Sequence, residues 1–158
     1  MSTDFSDALS LMTYGVYIIG SAAEGHTNAM TAAWVARTSW DDPRVMVAVS
    51  SDHFTTELIH KSGVFSVNIA APDQMELAER CGSVSGRDVD KLSGVPTKTA
   101  VTGAPIVQGS AGYLDCEVDQ EIVCVDHTLF IGRVVDAGCS DSSDVVIYNR
   151  SGMSTVKA

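Results

Sequence analysis

The sequence predicts a mainly β fold, a barrel carrying two or three short helices, and three observations point there. Six or seven short segments rich in Val, Ile, Tyr and Phe lie between Gly, Pro, Asn, Asp and Ser clusters. These segments are not separated by regular long helices, which argues against a doubly wound α/β sheet. That many strands in so short a chain are best accommodated by closure, because a closed sheet has no exposed edge.

The elements follow in order. Phe5, Ala8, Leu9 and Met12 recur at spacings of three and four, so residues 5–12 read as a short amphipathic helix. Val16 to Ile19 follow Gly15 as a strand. Ala23-Glu24-Gly25-His26 is a turn, and residues 28–37 read as a strand returning from it. Asp41-Asp42-Pro43 breaks the chain before an apolar strand over residues 45–49. Residues 55–61 read as a helix that starts at a Ser/Thr/Asp-rich turn and stops before Gly63.

Residues 64–69 form a strand, and Pro72 precedes a helical segment around Met75, Leu77, Ala78 and Cys81. Residues 82–105 are rich in Gly, Ser, Thr and Asp and read as a long excursion of low regular content. Loops of that length in compact domains are often functional. Leu114, Cys116 and Val118 alternate with Tyr113, Asp115 and Glu117, as in a half-buried strand. Residues 128–137 and 145–148 add two more strands.

At 158 residues, with no internal repeat or linker, residues 1–158 read as a single domain. A domain of this size buries roughly 68–70% of its unfolded surface, so its core needs no disulfide or metal. Hydrophobic residues at 45% against charged residues at 19% exclude disorder and leave apolar surface for a partner such as a second copy. Twenty acidic against ten basic residues give a net charge of −10, which opposes binding to nucleic acid or to an anionic membrane. An anionic ligand would therefore need the few cations gathered at its site.

Cys81, Cys116, Cys124 and Cys139 show no CxxC spacing and no nearby histidine cluster. They read as small core residues in a reducing cytosol rather than as a metal or dithiol site. Residues 1–14 carry Asp4 and Asp7 and no basic region, so they do not read as a signal peptide. No apolar run approaches the roughly 18–20 residues needed to span a bilayer, and the expected location is the cytoplasm. No GxGxxG follows a strand, and Walker, GxSxG and HExxH motifs are absent. Taken alone, the residues lead no further than a β-rich domain.

Three segments in order narrow this. The first is Tyr14-Gly15-Val16-Tyr17-Ile18-Ile19 with Thr27-Asn28-Ala29-Met30-Thr31-Ala32-Ala33-Trp34. The second joins Asp42-Pro43, residues 45–51, Thr55 and Ser62-Gly63-Val64-Phe65-Ser66-Val67-Asn68. The third is Ser85-Gly86-Arg87-Asp88-Val89-Asp90-Lys91-Leu92, with Asp126-His127-Thr128-Leu129-Phe130-Ile131-Gly132 downstream. Together they resemble the flavin reductase-like, FMN-binding split-barrel family, which includes flavoredoxins, ferric reductases and the reductase modules of two-component monooxygenases. The resemblance runs from about Phe5 to Tyr148. It implies an antiparallel Greek-key split barrel with a few short helices, a homodimer, and FMN near the dimer interface. Val125 stands where the family often has Gly before Asp-His-Thr, and little chain follows Tyr148 to cover a flavin.

The resemblance implies roles for particular residues. Asn28, Ala29, Met30, Thr31 and Ala32 match the segment along the isoalloxazine, whose pyrimidine edge needs both donors and acceptors. Asn28 also reads as a simple turn cap. Trp34 matches an aromatic near the cofactor, or is plain core. Ser50, Ser51 and Thr55 sit where a strand runs into a helix, a ready anion site suited to the FMN phosphate. The alternative for Thr55 is ordinary N-capping. Lys91, with Arg87 four residues earlier, is the cation source implied at the flavin, and Arg87 reads equally as a solvated loop charge. His127 matches the position facing flavin and nicotinamide; His26, His53 and His60 have no such support, although His53 adjoins the phosphate loop.

The expected chemistry is NAD(P)H-dependent reduction of bound FMN, with electrons leaving to free flavin, ferric iron, oxygen or an acceptor protein. Two alternatives stay open. One is an FMN electron-transfer protein reduced by another protein; the other is a cofactor-binding module without turnover.

Overall fold

The computed structural model describes residues 5–141 and 144–158. Met1 to Asp4, part of the segment read for a leader, lie outside the described residues. The described chain is mostly strand, with a few short helices and antiparallel pairing throughout, as the sequence predicts. Helix α1 (Ser6–Leu9) is followed by β1 (Tyr14–Gly15), β2 (Tyr17–Ala23), β3 (His26–Ala32), β4 (Val35–Ser39) and β5 (Arg44–Ser50). Helix α2 (Phe54–Ser62), β6 (Val64–Ile69), a 3-10 turn (Pro72–Gln74) and α3 (Met75–Ser83) come next. Then come β7 (Thr97–Lys98), β8 (Ile106–Val107), β9 (Gly112–Cys124), β10 (His127–Cys139), β11 (Asp144–Asn149) and β12 (Gly152–Lys157).

Seven strands form the main sheet in the order β3-β2-β6-β9-β10-β5-β4. Its two flanks curl onto one core: Met30 and Ala32 of β3 pack in the same cluster as Val45, Val47 and Val49 of β5, with Phe65 and Phe130 between them. Both phenylalanines are fully buried, and each such side chain contributes about 1.5–3 kcal/mol by leaving water. This is the expected split barrel. The strand read over residues 28–37 is corrected to two strands, β3 and β4, at opposite flanks of the sheet. The chain turns at Ala33–Trp34, where the amide of Ala48 bonds the Trp34 carbonyl, and this corner carries it across the open side of the barrel.

Other local differences have local reasons. The first helix is a single turn with no buried residue, because Phe5, Leu9, Leu11 and Met12 find no apolar surface among the described residues. Asp115 breaks the in–out alternation of β9: it is fully buried, and its carboxylate accepts the amide and hydroxyl of Thr102, pinning the long excursion. Residues 82–105 hold the last two residues of α3 and, beyond them, only β7 as regular structure, paired with β8. The resemblance stopped at Tyr148, but β12 continues and pairs with β11 along its whole length. Cys81 and Cys116 are core residues as expected, and burial pushes the Cys116 thiol up to about 12. Cys124 and Cys139 are exposed, which corrects the expectation of four core thiols.

Helix α2 matches its sequence signals. It stops at Gly63, whose φ of 69° is open to glycine at little cost and lets its amide bond the Ile59 carbonyl. Its N-cap is His53, whose side chain makes no capping hydrogen bond to the first-turn amides. No helix among the described residues is long and apolar enough to cross a membrane.

Candidate functional site

Strand β3 ends the sheet on one side, so one row of its backbone N–H and C=O groups has no strand partner. Two cavities of about 210 and 200 Å³ line up at this strand and share Met30, Thr31 and His53. Each falls short of the roughly 300 Å³ at which small-molecule sites begin, and joined as one groove they reach it.

The first cavity lies between β3, the start of α2 and the loop after α3. Asn28 is buried and donates from Nδ2 to Thr55 Oγ1 at 2.9 Å. Thr55 accepts there, so its own hydroxyl hydrogen is left for another acceptor. Thr55 is not the helix cap; the cap is His53. Gly86 closes against the Asn28 amide, where a Cβ would come within 2.0 Å of Asn28 Oδ1, so the loop can approach only without a side chain.

Lys91 is 4% exposed and donates to the Cys81 carbonyl at 3.0 Å, which leaves two of its three N–H groups for a ligand. Burial pushes its pKa down, so the buried ammonium would gain from an anion beside it. Arg87 lies on the cavity wall as well, bonded to the Asp52 carbonyl at 3.1 Å and the Glu57 carboxylate at 3.2 Å. Among the described residues no carboxylate lines this cavity, although acidic residues outnumber basic ones two to one in the chain.

The second cavity runs from Met30 to Trp34 on one side and to Ala48, Ser50 and His127 on the other. Trp34 is 48% exposed, so it is neither core nor covered. Its ring lies 4.8 Å from that of His127 at 42°. His127 Nδ1 is 2.8 Å from Asp126 Oδ1, and that hydrogen bond holds the Asp126 carboxyl below its usual range. The pairing orients the imidazole and leaves Nε2 outside that bond.

The structure brings Asn28, Met30, Thr31, Ala32, Trp34, Ser50, Thr55, Lys91 and His127 to one groove and leaves Ala29 and Ser51 outside its lining. Ala29 packs on Ile18, Cys81 and Val107 and lines neither cavity, because alternation along β3 turns it away from Asn28 and Met30. Ser51 lines neither cavity; its hydroxyl meets Thr128 Oγ1 at 3.2 Å. Ser50 sits in the second cavity, away from Lys91, and its hydroxyl hydrogen goes to Asp52 at 2.7 Å. A hydroxyl already donating to a carboxylate is a poor donor for a phosphate. Sequence reasoning gave no role to His53, which lines both cavities, or to Gly86. The position of His53 directly before a helix was the available signal.

The arrangement suits a molecule with an anionic end and a flat ring. The first cavity supplies cations, a free hydroxyl and helix amides. The second supplies small alanines, a bare strand edge and two rings. The family model described as flavin reductase like domain matches residues 9–157. The chain is 30% identical to the high molecular weight rubredoxin of Moorella thermoacetica over 89% of its length and 62% of the relative's. It is 28% identical to the ferric-chelate reductase (NAD(P)H) of Archaeoglobus fulgidus over 90% of its length and 85% of the relative's. The chain thus spans less than two thirds of the rubredoxin, and only 24% of two diflavin flavoproteins it also matches. Among solved structures, an FMN-binding protein from Thermus thermophilus superposes with a TM-score of 0.84 at 26% identity, covering 92% of this chain and 88% of the other.

Proposed function

The chain belongs to the flavin reductase-like family, and from that premise we propose that it holds FMN in the β3 groove and accepts electrons there from NAD(P)H. The observation that carries this is the acid-free cavity holding Lys91, Arg87 and Thr55 in a chain of net charge −10, continuous with a ring-sized cavity along a bare strand edge. Lys91, Thr55 and the first-turn amides of α2 hold the phosphate, with Arg87 beside them. Asn28, Met30, Thr31 and Ala32 flank the ring, and Trp34 and His127 stand at the open side where a nicotinamide arrives. Bound flavin supplies the hydride acceptor and the two-electron store. The protein's share is to bind, to orient and to leave one side accessible.

The same reading takes the chain as one cytoplasmic domain working as a homodimer. Light scattering of the FMN-loaded protein then gives twice the chain mass, and a monomer that keeps its FMN contradicts it. The function itself is tested by mixing FMN-loaded protein with NADH or NADPH without air. Bleaching of the flavin absorbance by either is expected; none with both contradicts direct turnover. A second reading, an FMN electron-transfer protein reduced by another protein, draws support from the partial match to a longer rubredoxin. It gains if nicotinamide fails to bleach a flavin that a chemical reductant bleaches readily.

A further inference from the structure

A third cavity, of about 260 Å³, borders the groove at Thr31, Ala32 and Gly82 and has no part in the reading above. Val16, Ala33 and Ala78 form one wall, and Tyr148 and Met153 of the β11–β12 hairpin form the other. The hairpin is not loosely attached. Backbone bonds run from Val16 to the Val146 carbonyl, from Val146 to the Ala70 carbonyl and from Ala70 to the Val16 carbonyl, at 3.0, 3.0 and 3.1 Å. Val146 and Val16 are buried in the same small cluster as Ala70 and Ala78, with Met153 packed against it.

The chemistry of this wall differs from that of the groove. Among the described residues its one charged side chain is the exposed Glu79, and the Thr31 hydroxyl is spent on the Ala78 carbonyl. A phosphate or carboxylate would find no donor of charge there and would meet a carboxylate. An uncharged ring would find a thioether and a phenol ring, both favourable surfaces for aromatic contact.

We propose that this cavity is a second-ligand subsite that seats an uncharged aromatic ring beside the bound flavin, and that Tyr148 and Met153 select what fits. The proposal rests on the flavin reading of the adjoining groove. It makes the C-terminal hairpin the determinant of which small acceptor comes within reach of the cofactor.

Calorimetric titration of the FMN-loaded chain with 2-naphthol and with 2-naphthoate tests it. The neutral probe binds with FMN in place, at least about tenfold more tightly than the anion, a gap of about 1.4 kcal/mol. Tyr148→Ala weakens 2-naphthol by about 2- to 12-fold, the worth of one aromatic pair. Met153→Glu weakens it further, and both variants keep wild-type FMN affinity. Equal affinity for the two probes, indifference to both variants, or displacement of 2-naphthol by FMN overturns the proposal; displacement would make the cavity part of the flavin's own seat. If the chain takes up no FMN but binds 2-naphthol, and both variants lose it, the flavin reading fails and the ring subsite stands.

Discussion

The two ends of the groove are built on different physical terms. At the α2 end, Asn28, Thr55 and Lys91 are all buried, and each is fixed by a named hydrogen bond from a distant segment. At the β4 end, Trp34 is half exposed and the His127 side chain is held by its sequence neighbour Asp126 and by ring contact. A dianion in a strongly acidic protein needs preset donors in a place water does not screen. A ring that must exchange electrons needs an open side. The contrast separates anchoring from access.

The largest expected effect lies at the anchoring end. Lys91→Met should weaken FMN by about 10- to 150-fold, since a hydrogen bond to a charged group is worth roughly 1.5–3 kcal/mol. Riboflavin, which has the ring and no phosphate, should be held as before. The variant should also leave the apoprotein as stable or more so, because burial already disfavours the ammonium. The sign follows from the lowered folded pKa: the unfolded chain binds the proton more tightly, so in wild type this group's contribution to stability rises with pH between the folded value and 10.5. In Lys91→Met that alkaline rise should vanish from thermal melts. Equal losses of FMN and riboflavin would end the division into anchoring and access.

Thr55→Val tests the same end without a charge. It should cost FMN and not riboflavin, and it should spare the start of α2, because His53 and not Thr55 is the cap. A helix-cap role would instead lower thermal stability by about 1 kcal/mol and affect both flavins alike.

At the access end the effect should be smaller and of another kind. Trp34→Ala removes a ring contact worth about 0.5–1.5 kcal/mol, so FMN and riboflavin should both weaken, by about 2- to 12-fold. Stopped-flow reduction by NADH should be disturbed more than binding is. A variant that loses FMN alone would place Trp34 at the phosphate.

The smallest effect concerns the ion pairs that brace Arg87. Lys61 and then Arg87 hold the Glu57 carboxyl below its ordinary 4.5. The pairing is therefore present above that value and is lost as pH falls through the lower folded value. The difference in melting temperature between wild type and Glu57→Gln should be small at neutral pH and shrink toward zero on acidification. A gap that widens in acid would show that Glu57 is not the brace.

Much of the fold was legible because its signals are local. The turn at Glu24–Gly25, the helix stop at Gly63, the break at Pro43 and the apolar strand over residues 45–49 are read from adjacent residues, and each stands where expected. The segment from Asn28 to Trp34 was singled out by the family resemblance, since its residues alone read equally as a turn cap and a strand. Asp115 was misread for the opposite reason. A carboxylate in an alternating strand belongs outside until Thr102 arrives from a loop to satisfy it.

The sequence by itself determined a β-rich chain, its punctuation and the scarcity of cations. Only the tertiary structure decided that β3 and β4 part at Trp34, that the Ser51 hydroxyl meets Thr128, and that His53 and Gly86 complete the cavity. It alone set Tyr148 and Met153 beside Ala33. Strand and turn preferences are properties of neighbours along the chain. The direction of a hydroxyl and the closing of a wall depend on which donors, acceptors and backbones are delivered from far away.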